Sequence, residues 1–297
     1  MERSLKILFV VNDLYTRGNG LAASARRTIT LLRERGHHVR VLSALPRDGD
    51  DCGVGMPEYV LPPLRIPLVD PLIASQGYAF ARSDRRQIDR ALDWADVVHL
   101  EEPFYLQAVV ARYARRRGVP VVATYHIHPE NLTASVYLDR VVPLNRAILE
   151  LWKRAIFNRS DLVQCPSRSV CERVSKLRVR APLLLLSNGV PLGEGVCADG
   201  REAGESAVVR VLVVGRYSRE KDQATILRAL RHSAHARSIQ LTFAGRGPTE
   251  HSLRASARRL LRRGVIAHPV RFAFMSADEL AREASSCDLY VHAARIE

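Results

Sequence analysis

The sequence predicts an α/β protein with two Rossmann-like domains, each built on a parallel β-sheet that helices cover on both faces. The chain has 297 residues, enough for two domains, and 47% of them are apolar, enough for a sizeable core. Short β-branched runs alternate with helical patterns along the chain, which is typical of parallel sheets. A polar, glycine-rich stretch from Gly193 to Ser206 interrupts this alternation and indicates a linker.

The first domain is predicted to span residues 1–192. It opens with the apolar run Ile7–Val11, which Asn12 and Asp13 end after five residues, so we interpret it as a strand rather than a signal peptide. Further strands are predicted at Val39–Ser43, Val97–Leu100, Val119–Thr124, Leu162–Cys165 and Leu183–Ser187. Helices are predicted at Ala22–Arg35, Phe104–Arg117 and Arg140–Asn158.

The second domain is predicted to follow the linker 193–206. Its strands and helices alternate again, at Val208–Val214, Gln223–Arg231, Ile239–Ala244, Glu250–Arg263, Val270–Phe274, Ala277–Ser285 and Leu289–His292. About 90 residues follow the linker, whereas a Rossmann-like domain usually needs on the order of 150. Because the alternation still continues near Glu297, we expect this domain, residues 207–297, to be incomplete and the chain to be truncated at its C-terminus.

Charge and cysteine content restrict the partners and the compartment. The formal net charge of +14 favours anionic partners such as nucleotide diphosphates, anionic lipid headgroups or nucleic acid. The five cysteines form no C-x-x-C pair, and an odd number does not suit a disulfide scaffold, so we expect a reduced, cytoplasmic protein without a zinc site. No apolar run approaches the ~18 residues that a membrane helix needs.

Glycines and cations follow several of the predicted strands. Gly18-Asn19-Gly20 lies between the first strand and helix, where a backbone without side chains can approach a phosphate or sugar. An ordinary tight turn explains this short pattern equally well. In the second domain, Arg216 and Lys221 lie five residues apart in the loop after Val208–Val214, where two cations can converge on a diphosphate.

Two more strand ends carry candidate residues. Gly245 and Gly247 form a turn after Ile239–Ala244, which can also be a simple helix-start turn. Glu101 and Glu102 follow Val97–Leu100 and can bind an acceptor hydroxyl. The alternative is an acidic pair that a helix dipole favours.

Together, these segments resemble glycosyltransferase family 4, which has the GT-B fold. The matching pieces occur in the family's order over nearly the whole chain. They are Gly18-Asn19-Gly20, Arg35-Gly36-His37-His38-Val39, Ala123-Thr124-Tyr125-His126, Cys165-Pro166-Ser167, Ser187-Asn188-Gly189-Val190, Gly215–Lys221 and Ala244–Pro248. The final segment, Tyr290–Glu297, resembles the approach to the family's Glu-x7-Glu motif, with Glu297 as its first glutamate and the second beyond the last residue.

The resemblance implies a retaining transfer of a hexosyl group from a nucleotide-diphosphate sugar, in a cleft between two domains. It implies catalytic roles for His126, beside the donor sugar, and for Glu297. The implied donor-binding residues are Gly18, Asn19, Gly20, Arg216, Lys221, Gly245 and Gly247. No metal and no cofactor beyond the sugar nucleotide is implied, because Arg216, Lys221 and helix N-termini would neutralise the departing diphosphate.

Two further segments predict acceptor ligands and a membrane-binding helix. His128-Pro129-Glu130-Asn131 resembles a subgroup of lipid- or polysaccharide-directed transferases, which makes Glu130 and Asn131 candidate acceptor ligands beside Glu101 and Glu102. The helix Arg140–Asn158 is amphipathic, with cations flanking one apolar stripe: Val141, Leu144, Ile148, Leu151, Trp152 and Ala155. It predicts peripheral contact with an anionic membrane surface at the inner face, unless the stripe is the core face of an internal helix.

Two other functions stay open at this point. A sugar-nucleotide epimerase shares the two-domain fold and would convert the donor with no acceptor present. A basic nucleic-acid-binding or interaction protein would also explain the charge of +14. Few aromatic residues interleave with the arginine clusters, which argues against a nucleic-acid partner.

Overall fold

The computed structural model describes residues 3–16, 18–46, 49–64, 79–136, 138–189 and 208–294. The chain divides into two compact units, Met1–Gly189 and Val190–Glu297. The predicted linker, residues 193–206, lies outside the described residues.

The first unit is built on a seven-stranded parallel sheet in the order β3-β2-β1-β4-β5-β6-β7. Its strands are β1 (Lys6–Val10), β2 (His38–Ala44), β3 (Tyr59–Leu61), β4 (Val97–Leu100), β5 (Val121–Thr124), β6 (Leu162–Cys165) and β7 (Leu183–Leu185). Its helices are α1 (Gly20–Glu34), α2 (Arg85–Trp94), α3 (Tyr105–Arg117), α4 (Pro129–Thr133), α5 (Val142–Ala155) and α6 (Arg168–Lys176). Because β2 and β4 flank β1, the strand order reverses between β1 and β4, where open parallel sheets usually bind their ligands.

The alternation of side chains along β1 explains why helices cover both faces of this sheet. Leu8 packs in a cluster with Ile88 of α2 and Val110 of α3. Phe9 points the other way and packs with Ile29 of α1. A strand that is buried on both faces gives a continuous apolar run, which is the pattern the sequence shows here. The predicted α/β class with a parallel sheet is confirmed.

The helix ends follow from local chemistry. The Asn19 side chain accepts hydrogen bonds from the backbone N–H groups of Leu21 and Ala22 and so caps α1. Gly118 ends α3 in the left-handed region, at φ 70°. Helix α5 is shorter than the predicted Arg140–Asn158, because the backbone leaves helical geometry at Ile156 and a 3₁₀ turn follows.

Strand β3 and helix α2 were not predicted. Helix α2 follows Asp84, whose carboxylate accepts from the backbone N–H groups of Arg86 and Gln87 at 2.8 and 3.2 Å. It buries Ile88, Ala91 and Leu92, a spacing of three and four residues. Both signals were present in the sequence, since an acidic cap before such a spacing marks the start of a helix.

The second unit contains a four-stranded parallel sheet in the order β10-β9-β8-β11. Its strands are β8 (Val209–Val214), β9 (Ile239–Ala244), β10 (Arg271–Ala273) and β11 (Leu289–Tyr290), and its helices are α7 (Gln223–Leu230), α8 (Glu250–Arg262) and α9 (Ala277–Ser286). Val213 and Phe243 lie in one buried cluster with Ile226 of α7 and Leu253 of α8. Among the described helices of the chain, none combines the length and the apolar composition needed to cross a bilayer.

Candidate functional site

Three candidate residues of the first unit, together with Asn12, lie at the carboxyl ends of three neighbouring strands. Asn12 follows β1, Glu101 and Glu102 follow β4, and His126 follows β5. Because β1 pairs with β4 and β4 pairs with β5, these side chains come to the same edge of the sheet. This edge includes the point between β1 and β4 where the strand order reverses.

His126 and Glu101 form a buried pair at this edge. His126 Nε2 lies 2.8 Å from Glu101 Oε2, and the two side chains are only 7% and 3% exposed. A second histidine, His99, places its Nε2 3.4 Å from the other carboxylate oxygen, Oε1. Asn188 Nδ2 lies 3.5 Å from His126 Nδ1. Both carboxylate oxygens of Glu101 and both ring nitrogens of His126 therefore have partners.

Burial and neighbouring side chains together shift the pKa values of this group. Burial lowers the pKa of His99 below its ordinary 6.5, against the raising effect of the neighbouring Glu101 carboxylate. Burial alone would raise the pKa of Glu101, but the two neighbouring histidines outweigh it and hold this pKa below 4.5. The Glu101 carboxylate is therefore ionised and accepts a hydrogen bond from His126 Nε2–H. The Asn188 amide Nδ2 lies 3.5 Å from His126 Nδ1 on the other side of the ring, so the two contacts hold the imidazole in one orientation.

Glu102 lies beside this pair but has different partners. Its Oε2 accepts hydrogen bonds from the Asn12 backbone N–H at 2.7 Å, from Asn12 Nδ2 at 2.7 Å and from Gln107 Nε2 at 2.6 Å. Its Oε1 is buried and has no hydrogen-bond partner among the described residues. Burial raises the pKa of Glu102 to about 8, against the lowering effect of these donors.

The glycine loop precedes α1. Gly18 has a φ of 78°, a conformation that glycine adopts without strain. The Asn19 side chain caps α1, at 3.0 Å from Leu21 N and 3.4 Å from Ala22 N. Gly20 is the first residue of α1, and a Cβ atom there would meet nothing within 4 Å. Asn19 thus has a role within the fold, and the assignment of the loop to the donor stays a prediction.

The other two candidate acceptor ligands are tied into the fold. The Glu130 carboxylate accepts hydrogen bonds from Arg173 Nη2 of α6, at 2.6 Å to Oε1 and 2.8 Å to Oε2, and this contact joins α4 to α6. Asn131 Oδ1 accepts from the His128 backbone N–H at 2.8 Å and so closes the first turn of α4. Their role toward an acceptor stays a prediction.

In the second unit, two loops at the carboxyl ends of β8 and β9 interlock through their backbones. Gly215 N–H donates to the Ala244 carbonyl at 2.9 Å, and Tyr217 N–H donates to the Arg246 carbonyl at 2.9 Å. A Cβ atom on Gly245 would lie 2.1 Å from the Gly215 carbonyl oxygen, and one on Gly247 would lie 2.3 Å from the Tyr217 carbonyl oxygen. This close backbone packing requires glycine at both positions. The predicted contact of Gly245 and Gly247 with the donor stays a prediction.

The two predicted cations lie on the first of these loops. Arg216 forms an ion pair with Glu220, whose side chain is only 4% exposed. The Arg216 backbone carbonyl accepts from Gln223 Nε2 at 2.8 Å, which ties the loop to the start of α7. Lys221 is on the same loop. Glu297, the other predicted catalytic residue, lies outside the described residues.

The comparisons with known proteins agree with the predicted family. The model of glycosyltransferase family 4 matches residues 18–194, more than half of the chain. The chain belongs to glycosyltransferase family 4. No curated protein matches it. The GT-B fold that the resemblance implies is confirmed.

Several solved structures resemble this family 4 chain over nearly its whole length. The Anabaena protein HepE in complex with UDP and glucose gives a TM-score of 0.65 at 15% identity, covering 98% of this chain and 74% of HepE. The lipopolysaccharide outer core galactosyltransferase WaaB gives 0.61 at 13% identity, covering 98% and 74%. The catalytic domain of starch synthase IV from Arabidopsis thaliana, bound to ADP and acarbose, gives 0.56 at 12% identity, covering 99% and 79%. At these identities the likeness concerns the fold.

Sequence reasoning missed several partners in this family 4 site. His99 lies two residues before Glu101, on the same side of a strand end, but that spacing alone did not assign it a contact. Asn12 and Gln107 contact Glu102 from 90 and 5 residues away, and Glu220 contacts Arg216 from four residues away. The Arg216–Glu220 contact lies within one loop, but the spacing of four residues predicts a contact only in a helix, and residues 216–220 are not helical.

Proposed function

We propose that this family 4 glycosyltransferase transfers a hexosyl group from a nucleotide-diphosphate sugar to a lipid or saccharide acceptor, with retention of the anomeric configuration. The observation that carries the proposal is the buried His126–Glu101 pair at the carboxyl edge of the first sheet, beside the reversal of strand order. Ligands of open parallel sheets bind at this edge. In a family 4 chain, a histidine held there supports the role beside the donor sugar.

The donor's diphosphate is assigned to the second unit. Arg216 and Lys221 lie in the loop after β8, and the buried carboxylate of Glu220 holds the Arg216 guanidinium. Cations near a departing diphosphate stabilise the negative charge that develops on it, so we propose that no metal ion is needed. The solved structures of HepE with UDP-glucose and of starch synthase IV with ADP support a nucleoside diphosphate donor.

Retention is proposed to occur without a covalent intermediate. Such an intermediate would require a carboxylate that reaches the anomeric carbon. At the described edge, the Glu101 carboxylate is occupied by His126 and His99, and Glu102 is buried. In the proposed step, the acceptor oxygen forms its bond to the anomeric carbon on the face from which the diphosphate departs. The acceptor's proton passes to the departing phosphate oxygen.

His126 is proposed to orient the donor sugar rather than to exchange protons. Its Nε2–H is directed at the Glu101 carboxylate and its Nδ1 faces the Asn188 amide, so the ring is held in one orientation. A ring with both nitrogens occupied is poorly placed to act as a base. A rigid ring nevertheless holds a sugar in a reactive orientation, and orientation supplies a large share of enzymatic rates.

The main experiment measures donor binding and donor turnover separately. UDP-glucose, ADP-glucose and GDP-mannose are titrated against the chain by calorimetry, and release of the nucleoside diphosphate is then followed with lipid extracts and with oligosaccharides as acceptors. We expect one donor to bind and to be turned over faster with an acceptor, and we expect NMR of the product to show the donor's anomeric configuration. An inverted product would contradict the retaining mechanism. Conversion of the donor sugar with no acceptor would indicate an epimerase.

A membrane contact is proposed for the solvent-facing side of α5 and the turn before it. Of the predicted apolar stripe, Trp152 is buried in the core, whereas Leu151 is 63% exposed. Val142, outside that stripe, is 71% exposed. Arg140, before the helix, and Arg146 are also exposed, so the solvent-facing side of α5 carries aliphatic groups at its two flanks and cationic groups between them and at its start. Such a combination favours the interface of an anionic bilayer.

We predict that the chain sediments with vesicles of phosphatidylglycerol and phosphatidylcholine at low salt, but not with pure phosphatidylcholine. The double variant Val142→Glu, Leu151→Glu is expected to lose most of this binding, because it places two carboxylates against the anionic surface. Leu31→Glu on α1 is the matched control, since Leu31 is also exposed, at 51%, but lies on another helix. Equal sedimentation of all three proteins would show that α5 does not make the contact.

A further inference from the structure

Glu102 is the centre of a buried polar network that the proposed transfer chemistry does not use. Its Oε2 takes three donors, two from Asn12 and one from Gln107, at 2.6 to 2.7 Å. The residue is 2% exposed, and its Oε1 has no hydrogen-bond partner among the described residues. Leaving a buried carboxyl oxygen without a partner is costly, so such a group usually has a specific role.

The network converges on Asn12, the second residue after β1. Besides the two bonds to Glu102, Asn12 Nδ2 donates to Gln107 Oε1 at 3.2 Å, and Asn12 Oδ1 accepts from Ala81 N–H at 3.1 Å. The Asn12 carbonyl accepts from Ser43 Oγ at 3.4 Å. Three parts of the first unit therefore hold Asn12: Ser43 of β2, the pair Glu102 and Gln107 at the end of β4 and the start of α3, and Ala81. The chain then continues from this fixed residue to the glycine loop Gly18–Gly20.

The local charges differ for the two adjacent glutamates. Glu101 faces His99 and His126, which accounts for its negative charge. Glu102 faces the neutral amides of Asn12 and Gln107, and the charged group next to it is the Glu101 carboxylate itself. A second buried negative charge here would have amide donors but no counter-ion, which is unfavourable.

We propose that Glu102 is a positioning residue for the transfer reaction: through Asn12, it fixes the path of the loop that leads from β1 to Gly18–Gly20. This inference rests on the proposed function, which assigns that glycine loop to the donor. It replaces the expectation that Glu102 binds the acceptor, because a side chain that is 2% exposed and tied to Asn12 is not presented to a second substrate.

Three variants test the role. Glu102→Gln retains the shape and an oxygen that accepts the same donors, whereas Glu102→Ala leaves Asn12 without its main partner. We expect Glu102→Ala to raise KM for the donor about tenfold, which corresponds to the loss of about one hydrogen bond to a charged or buried group. Glu102→Gln is expected to restore most of this loss. Glu34→Gln, an exposed residue at the end of α1, is the matched control.

The pH dependence of the donor KM gives a readout that a purely structural brace would not alter, and the pH dependence of Tm reports the titration itself. Since the folded pKa of Glu102 is about 8 and its ordinary value is 4.5, the unfolded chain releases this proton first as pH rises. The group therefore destabilises the fold progressively between pH 4.5 and 8. We expect the Tm of the wild type to fall relative to that of Glu102→Gln over this range, and the wild-type KM for the donor to rise near pH 8 in a step that Glu102→Gln lacks.

Hydrogen exchange of the backbone amides at residues 12–20 separates this inference from the proposed function, since it needs no activity. We expect faster exchange in Glu102→Ala than in Glu102→Gln or the wild type. If Glu102→Ala does not fold, Gln107→Leu, which removes one donor, is expected to give a smaller effect of the same sign. Wild-type exchange and wild-type donor KM in Glu102→Ala, or in Gln107→Leu if Glu102→Ala does not fold, would overturn the proposal.

Discussion

Replacing Lys221 by alanine is expected to lower kcat/KM for the nucleotide sugar by about 10- to 100-fold. The residue lies in the loop after β8, where the proposal places the donor's diphosphate. A charge-assisted hydrogen bond contributes about 1.5–3 kcal/mol, and more where charge develops in the transition state. Steady-state kinetics with varied donor measure the effect. Lys176→Ala, an exposed lysine on α6, is the matched control and is expected to behave as the wild type.

Arg216→Ala is expected to cause a similar loss, but its ion pair complicates the measurement. Removing the guanidinium leaves the Glu220 carboxylate buried and without its cation, so part of the loss would be structural. The double variant Arg216→Ala, Glu220→Gln removes that buried charge. If it folds as stably as the wild type and still turns over the donor slowly, the loss belongs to donor binding. Wild-type kinetics in this double variant and in Lys221→Ala would show that neither cation binds the donor.

His126→Ala is expected to lower kcat by about 100-fold, the effect that misplacing a bound substrate by about 1 Å can have. The imidazole is 7% exposed and is held by Glu101 and Asn188, so its removal leaves a gap where the proposal places the donor sugar. His38→Ala is the matched control, because His38 is exposed and begins β2, at the amino end of the same sheet. Unchanged kcat in His126→Ala would contradict the assigned role.

Glu101→Gln tests how His126 is held. The amide oxygen still accepts from His126 Nε2–H, but a hydrogen bond to a neutral group is weaker, so we expect kcat to fall about 5- to 10-fold. The pKa of Glu101 is lowered in the folded chain, so its ionised form stabilises the fold above the ordinary value of 4.5. This contribution disappears as pH falls through the lowered value. The Tm difference between the wild type and Glu101→Gln is therefore expected to narrow on acidification, and a constant difference would show that Glu101 does not carry this charge.

Local pattern predicted the main strands because the side-chain pattern of a buried strand is visible within the strand itself. The run Ile7–Val11 is apolar at every position, as a strand buried on both faces requires, and the structure places Leu8 and Phe9 in cores on opposite faces. Boundaries were less predictable, as α5 shows. The helix was predicted to continue to Asn158, but the backbone leaves helical geometry at Ile156 and ends it there.

Two apolar residues of the same stripe differ in burial because of the way the helix packs in the tertiary structure. Trp152 packs in the core with Phe104, whereas Leu151 is 63% exposed. Periodicity identifies an amphipathic helix, but the direction in which the helix faces its sheet decides which part of the stripe is covered. The sequence alone therefore left the core and membrane interpretations of α5 open.

By itself, the sequence determined the α/β class, the family, and the placement of Glu101 and His126 at the ends of strands, because each of these depends on residues close together in the chain. Only the tertiary structure decided the contacts. His126 meets Glu101 from 25 residues away, Asn188 meets His126 from 62, and Asn12 meets Glu102 from 90. Parallel strands are joined by long crossovers, so neighbours at a sheet edge are distant in sequence and no local spacing records them. Burial, which lowers the pKa of His99 and raises that of Glu102, arises only when those crossovers pack on the sheet, and so do the histidine contacts that lower the pKa of Glu101.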